Sequence, residues 1–171
     1  MGMPELAGFS LVGGTAWSLL YGHRKSVDLD LFFTGKFDNQ GIINSIKRKF
    51  GSHFDNRTST PQFGIFCFID EVKVDFVNHP HPLIRPLQEP EGIRMFSTED
   101  IMAMKVQAIL GRGRKKDFWD IAELLDHYTI SDFVEVHKKK YATQNLLITV
   151  PQVMTYFTDA DEDEEDRKSV V

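Results

Sequence analysis

Apolar positions along the chain follow two regimes that meet near residue 95: alternating and helical spacing before it, helical spacing alone after it. Phe9 to Gly13 reads as a short buried strand and Thr15 to Tyr21 as a helix. From Val27 to Phe33, alternation puts Val27, Leu29 and Leu31 on one face of a strand and Asp28 and Asp30 on the other. Asn39 to Phe50 carries Ile42, Ile43, Ile46 and Phe50 at helical spacing, with Gly51 placed to end the helix. Gln62 to Ile69 and Val72 to Val77 predict a hairpin turning at Asp70 and Glu71. Pro80, Pro82, Pro86 and Pro90 then exclude regular structure and predict an extended surface connection. Ser97 and Asp100 have the spacing of a helix cap, ahead of a helix from Ile101 to Leu110 that stops at Gly111. Further helices are predicted over Asp117 to His127, over Asp132 to Tyr141 and, opened by Pro151, through Phe157. The pattern is that of an α+β protein. A mixed core over 1–94 is followed by a helical part over 95–158 that packs on it.

At 171 residues the chain can bury a hydrophobic core without disulfides. Its single cysteine, Cys67, lies in the apolar run GIFCFI and reads as a small core hydrophobe. No apolar stretch approaches the roughly 20 residues of a membrane helix, and the first residues lack the pattern of a signal peptide, so a cytoplasmic protein away from membranes is expected. The net charge of -5 belongs to the end of the chain. Seven acids lie between Asp159 and Asp166, only Arg167 and Lys168 follow them, and acids and bases balance over 1–158. The 159–171 tail is expected to be disordered. Lys105, Arg112, Arg114, Lys115 and Lys116 form one basic cluster and Lys138 to Lys140 a second, which reads first as a solvated helix face. Trp17 and Trp119 fall in helical apolar patterns and are expected in the core.

The chemistry concentrates in LVGGTAWSLLYGHRKSVDLDLF. A strand ending in Gly13-Gly14 and feeding a helix near Thr15 presents unpaired backbone N–H groups with no Cβ in the way, which suits a phosphate. Asp28 and Asp30, two residues apart on one strand face, repel each other unless cations or hydrogen bonds intervene. Magnesium takes one or two carboxylates with water and phosphate oxygens, which matches this inventory; a merely polar strand face is the alternative. Asp75, on the polar face of Val72 to Val77, is the candidate third carboxylate for two-metal chemistry. Arg24 can reach a phosphate bidentately and Ser26 can hydrogen-bond a carboxylate; fixing their own loop is the rival role for both. Lys105 can face phosphate or run its stem along the core. Asp117 and Asp120 share a helix face, with Phe118, Ile121 and Leu125 as apolar contacts, and capping or ion pairing competes with a site role for Asp117. The other histidines, His79 and His81 among them, lack zinc-ligand spacing.

Together, G-G-T-A-x-x-L from Gly13, H-R-x-S-x-D-x-D-x-F from His23 to Phe32, the strand acid Asp75, K-V-Q-A-I-L-x-R from Lys105 to Arg112 and K-D-F-W-D-I from Lys116 to Ile121 form an ordered set. In this set the chain resembles the minimal nucleotidyltransferases and, within them, the AbiEii/AbiGii abortive-infection toxins. The resemblance implies a polymerase-beta-like core with a short mixed sheet flanked by helices. It implies a triphosphate cradled by Gly13 and Gly14, with Thr15, Arg24 and Ser26 at the nucleotide site, and two metal ions, Mg2+ or Mn2+, on Asp28 and Asp30, with Asp75 completing one site. Lys105 would contact the phosphates, and Asp117 would orient Lys105 or contact the nucleotide. The implied activity is metal-dependent transfer of a nucleoside monophosphate from an NTP to an acceptor hydroxyl, an RNA such as tRNA first, by a toxin with a cognate antitoxin. Two other classes compete: a catalytically silent nucleotide- or RNA-binding module of the same fold, and an interaction domain whose acidic tail meets a basic partner. Retention of the three acids favours the enzyme.

Overall fold

Five strands, β1 (Ser10–Val12), β2 (Leu29–Phe33), β3 (Phe54–Asn56), β4 (Gly64–Ile69) and β5 (Val72–Asn78), make one sheet in the order β1-β2-β5-β4-β3. This computed structural model describes residues 2–58, 63–156 and Ala160. The predicted start of the hairpin at Gln62, Phe157 and the acidic tail, Ala160 apart, lie outside the described residues; the last helix, expected through Phe157, already ends at Met154 with Thr155 as its cap. The β2–β5 pair is parallel and the other pairs are antiparallel. The expected turn at Asp70 and Glu71 is present, both residues having positive φ as a tight two-residue hairpin turn requires. Gly64 meets a different constraint: a Cβ there would collide with the Phe76 carbonyl.

The strand expected from Val27 begins instead at Leu29, because the ladders on its two sides start no earlier than Leu29, and Val27 is 73% exposed. Strand β3 was not foreseen, since one apolar residue in three carries no alternation and its pairing comes wholly from β4. Helix α1 (Gly13–Tyr21) starts at the first glycine, so the Gly-Gly pair is its opening turn and not the loop before it. Helix α2 (Asn39–Phe50) has the expected span, capped by the Asp38 side chain and ended by Gly51.

The later helices are α3 (Thr98–Gly111), α4 (Lys115–Leu124), α5 (Ile130–Lys140) and α6 (Val150–Met154). The predicted cap of α3 forms, with Ser97 Oγ accepting from the Asp100 N–H at 3.1 Å. A capping box of Thr129 and Asp132 starts α5 two residues before its expected first position. The inward stripe of α4 is Asp117, Asp120, Ile121 and Leu124, so Leu125 is exposed and Trp119 is only half-buried. Its helical phase differs by one position from the purely apolar expectation because two carboxylates occupy it.

One hydrophobic cluster runs through all of these layers, from Trp17 of α1, Leu31 of β2 and Phe76 of β5 to Ile101 of α3, Leu124 of α4 and Phe133 of α5. Cys67 lies within it, its thiol pushed up to about 12 by burial and by Asp75. No described helix is long and apolar enough to cross a membrane.

Lys140 departs from the expected solvated face. Lys138 and Lys139 are exposed, but Lys140 is buried, donating to Asp100 Oδ1 at 2.6 Å and to the Pro82 carbonyl at 3.1 Å. Asp100 also accepts from Ser97 Oγ at 2.6 Å and from the N–H groups of Ile84 and Arg85. The proline-rich connection is thereby tied to α3 and α5. Asp100→Ala would leave the Lys140 ammonium buried without its counter-charge, and a loss of about 3–5 kcal/mol in urea-unfolding stability is expected. Lys140→Met should cost less, because the Asp100 carboxylate keeps its N–H and hydroxyl donors.

Candidate active site

Asp30 and Asp75 are register partners across the parallel β2–β5 ladder. Their side chains project to one face while Leu31 and Phe76, the next pair, project into the core. Burial raises the Asp30 carboxyl above its ordinary range, and the Asp75 charge raises it further, against the pull of Lys73 and Lys105. Asp75 is 9% exposed; its Oδ2 accepts from Lys73 Nζ at 2.7 Å, and its buried Oδ1 has no hydrogen-bond partner. Gly13 supplies the third wall, since its φ is +73° and a Cβ there would lie 2.5 Å from Asp30 Oδ2. Only glycine lets the opening turn of α1 approach this carboxylate.

The loop from α1 to β2 is held from inside. The Thr15 hydroxyl donates to the Asp28 carbonyl, so the Ser26 hydroxyl donates to Thr15 Oγ1, at 2.8 Å. These contacts place Asp28 immediately before β2, close enough to Asp30 to add to the rise of its pKa. Arg24 makes a bidentate pair with Asp120, Nε to Oδ1 at 2.6 Å and Nη2 to Oδ2 at 3.0 Å. Its guanidinium passes directly over Gly14, where any Cβ would strike it.

Asp120, which the sequence places on one helix face with Asp117 but to which it assigns no site role, is the hub of this network. It is fully buried and binds His23 Nε2 at 2.7 Å and Lys105 Nζ at 2.7 Å as well as Arg24. Lys105 Nζ also donates to Asp117 Oδ1 at 2.7 Å and lies 6.0 Å from the centre of the Trp17 ring. Asp117 therefore grips Lys105, an ion pair common to the positioning role that the resemblance implies and to the plain ion pairing weighed against a site role. Burial pushes the Asp120 carboxyl up, but the Arg24 hydrogen bonds, the Lys105 charge and the His23 contact outweigh it and bring it to about 2. The i, i+3 spacing of two acids flanking FW was the available signal for a paired role.

A cavity of about 330 Å³ opens against these groups. Gly13, Asp30, Lys105, Arg112 and Asp117 line it together with Phe32, His79, Met104, Gln107 and Tyr141. Asp75 adjoins it through the ladder, whereas Gly14, Thr15, Arg24 and Ser26 are engaged in the loop packing described above. Among the described residues, no three His, Cys, Asp or Glu side chains sit close enough together to hold a metal ion unaided. The Asp30–Asp75 pair fits a divalent ion in another way: magnesium accepts two carboxylates and completes its shell with water and phosphate oxygens. The Asp75 Oδ1, which has no hydrogen-bond partner, is the oxygen that such an ion would pair.

Because its partners hold the Asp120 carboxyl at about 2 in the folded chain against an ordinary value of 3.8, its charge contributes about 2 kcal/mol above pH 3.8, and this is lost as the pH falls through about 2. Urea midpoints of the wild type and Asp120→Asn should therefore converge between pH 4 and pH 2. A gap that does not change with pH would contradict this assignment.

The family model for the AbiEii nucleotidyl transferase toxin of type IV toxin–antitoxin systems matches residues 4–170. An uncharacterized protein of Aquifex aeolicus is 34% identical over 164 residues, covering 91% of this chain and 76% of that protein. In fold, the chain is similar to JHP933 from Helicobacter pylori, with a TM-score of 0.51 at 16% identity over 86% of this chain and 79% of that one. It is also similar to MenT4, a nucleotidyltransferase toxin of Mycobacterium tuberculosis, with a TM-score of 0.50 at 15% identity over 75% of this chain and 54% of that one. The mixed sheet with its flanking helices is thus a nucleotidyltransferase fold, and the chain belongs to the AbiEii family of nucleotidyltransferase toxins.

Proposed function

We propose that this nucleotidyltransferase moves a nucleoside monophosphate from an NTP to the hydroxyl of an RNA acceptor, a tRNA 3′ end first, in a reaction that requires Mg2+ or Mn2+. The observation that carries this reading is the in-register pair of Asp30 and Asp75, with Gly13 pressed against Asp30 and Lys105 lining the same cavity. Asp30 and Asp75 would hold the ions, and Asp28, at the entry of β2, would add its negative charge nearby without being a third ligand of the same ion. A divalent ion held there lowers the pKa of the acceptor hydroxyl and offsets charge on the departing pyrophosphate. Backbone N–H groups of the Gly13–Gly14 turn and the Lys105 ammonium orient the triphosphate, and Asp117 and Asp120 keep Lys105 in place. The acceptor oxygen attacks the α-phosphorus, the bond to the bridging oxygen of the β-phosphate breaks, pyrophosphate leaves, and the acceptor proton passes to solvent. The toxin family implies a cognate antitoxin that opposes this reaction in the cell.

Incubation with each α-labelled NTP, Mg2+ or Mn2+ and total tRNA should label RNA. A chelator should abolish labelling and added metal should restore it. Asp30→Asn should lower the rate by at least about a thousandfold. Equal labelling by wild type and Asp30→Asn would overturn the assignment of the site. Metal-dependent nucleotide binding without any transfer would identify a silent module of the same fold. Lys105→Met removes the cation between two buried carboxylates, and should lower urea-unfolding stability by about 3 kcal/mol as well as weakening nucleotide binding.

A further inference from the structure

Beyond Asp30 the cavity changes character. Phe32 follows Asp30 on the same face of β2, and its ring lies 5.6 Å from that of His79, centre to centre. His79 stands just past the end of β5, four residues and roughly 13 Å of strand from Asp75. Its backbone N–H donates to the Phe33 carbonyl at 2.8 Å. The rings of His81 and Phe96 pack against it at 5.1 and 5.8 Å, and Tyr141 stands beyond His81 at 4.6 Å and also lines the cavity. His79 is 6% exposed, it lines the cavity, and its Nε2 has no hydrogen-bond partner.

A buried nitrogen without a partner costs stability that an apolar side chain of similar size would not. Burial, helped by Lys140 and His81, lowers the pKa of this imidazole to about 4, so the ring is neutral at neutral pH and offers no positive charge to a phosphate. It suits an uncharged polar edge. Gln107, in the same cavity, turns its Oε1 to His137 Nε2 at 3.0 Å, which leaves its amide N–H groups for a further bond. Flat aromatic walls with one or two hydrogen-bonding groups set among them match an aromatic heterocycle with polar substituents.

We propose that His79 reads the nucleobase: the base of the bound NTP lies along Phe32, His79 and Tyr141 with one edge atom hydrogen-bonded to His79 Nε2, while its phosphates extend toward Gly13 and Lys105. This assignment rests on the nucleotide site described above and adds to it the origin of NTP preference. A site built to hydrogen-bond one edge rejects ligands that leave its polar atom unpaired, so a preference of tenfold or more follows.

The test is calorimetric binding of ATP, GTP, CTP and UTP, each with Mg2+, to the full chain and to His79→Leu, His79→Phe, His79→Gln and Asp30→Asn. Wild type should favour one base by at least about tenfold. Both apolar variants should bring the ratio of Kd values near unity at an unchanged or higher Tm, since they delete an unpartnered nitrogen. His79→Gln should recover part of the preference. An unchanged ratio in the apolar variants, equal binding of all four NTPs by wild type, or loss of folding in both apolar variants would overturn the role of His79. If binding is then still lost in Asp30→Asn, the nucleotide site itself stands. Binding of no NTP by wild type would overturn both.

Discussion

Two carboxylates held side by side on neighbouring parallel strands, Asp30 on β2 and Asp75 on β5, set the terms for the rest of the molecule. At a strand spacing of about 4.8 Å and an effective dielectric of about 20, two such charges repel by roughly 3 kcal/mol. The ladder allows them no escape, because a one-residue slip would carry Leu31 and Phe76 out of the core. Burial of Leu31, Val74 and Phe76 on the opposite face therefore keeps the acids together, and Lys73 and Lys105 soften the repulsion from two sides. The strain left over, a raised Asp30 and an unpartnered Asp75 oxygen, is what a divalent cation would relieve.

Buried charge also joins the helices to the sheet. Helix α3 carries Asp100 in its first turn and Lys105 further along, and each is the centre of a separate network. Asp100 with Lys140 gathers the proline-rich connection and α5; Lys105 with Asp117 and Asp120 gathers α4, and through Arg24 and His23 the loop that delivers Asp28 and Asp30. Buried ion pairs of this kind contribute less to net stability than to alignment, because desolvation offsets most of the attraction. Their value here is positional. By sharing Asp120, Arg24 and Lys105 link the cavity wall made by α3 to the loop that leads into the acids of β2.

Much of this was legible residue by residue. The α2 boundaries, the Asp70-Glu71 turn and the Ser97 cap follow from rules that act within a few residues, and all three appear in the structure. Alternation placed Asp30 and Asp75 on polar strand faces, and the linked motifs added Gly13, Lys105 and Asp117, which line one cavity with Asp30. Where the reading went astray, distant pairing had overridden a local pattern: β2 lost its first two residues, Lys140 left the solvated face for Asp100, and Trp119 yielded its inward place to Asp120.

Composition and short-range periodicity thus sufficed for the α+β plan, the order of the strands and helices apart from β3, and the acids on their strand faces, because helix caps, turns and alternation depend on neighbours in the chain. Which charge neutralises which did not follow from them. Arg24 and Asp120 are 96 positions apart, and Lys140 and Asp100 are 40, so their pairing exists only once α3, α4 and α5 have packed against the sheet. The same packing buries His79 with an unused nitrogen, although in the chain it is one histidine beside a proline. Burial, and with it the strength of every charge and hydrogen bond at this site, is a property of the assembled layers and of no local stretch.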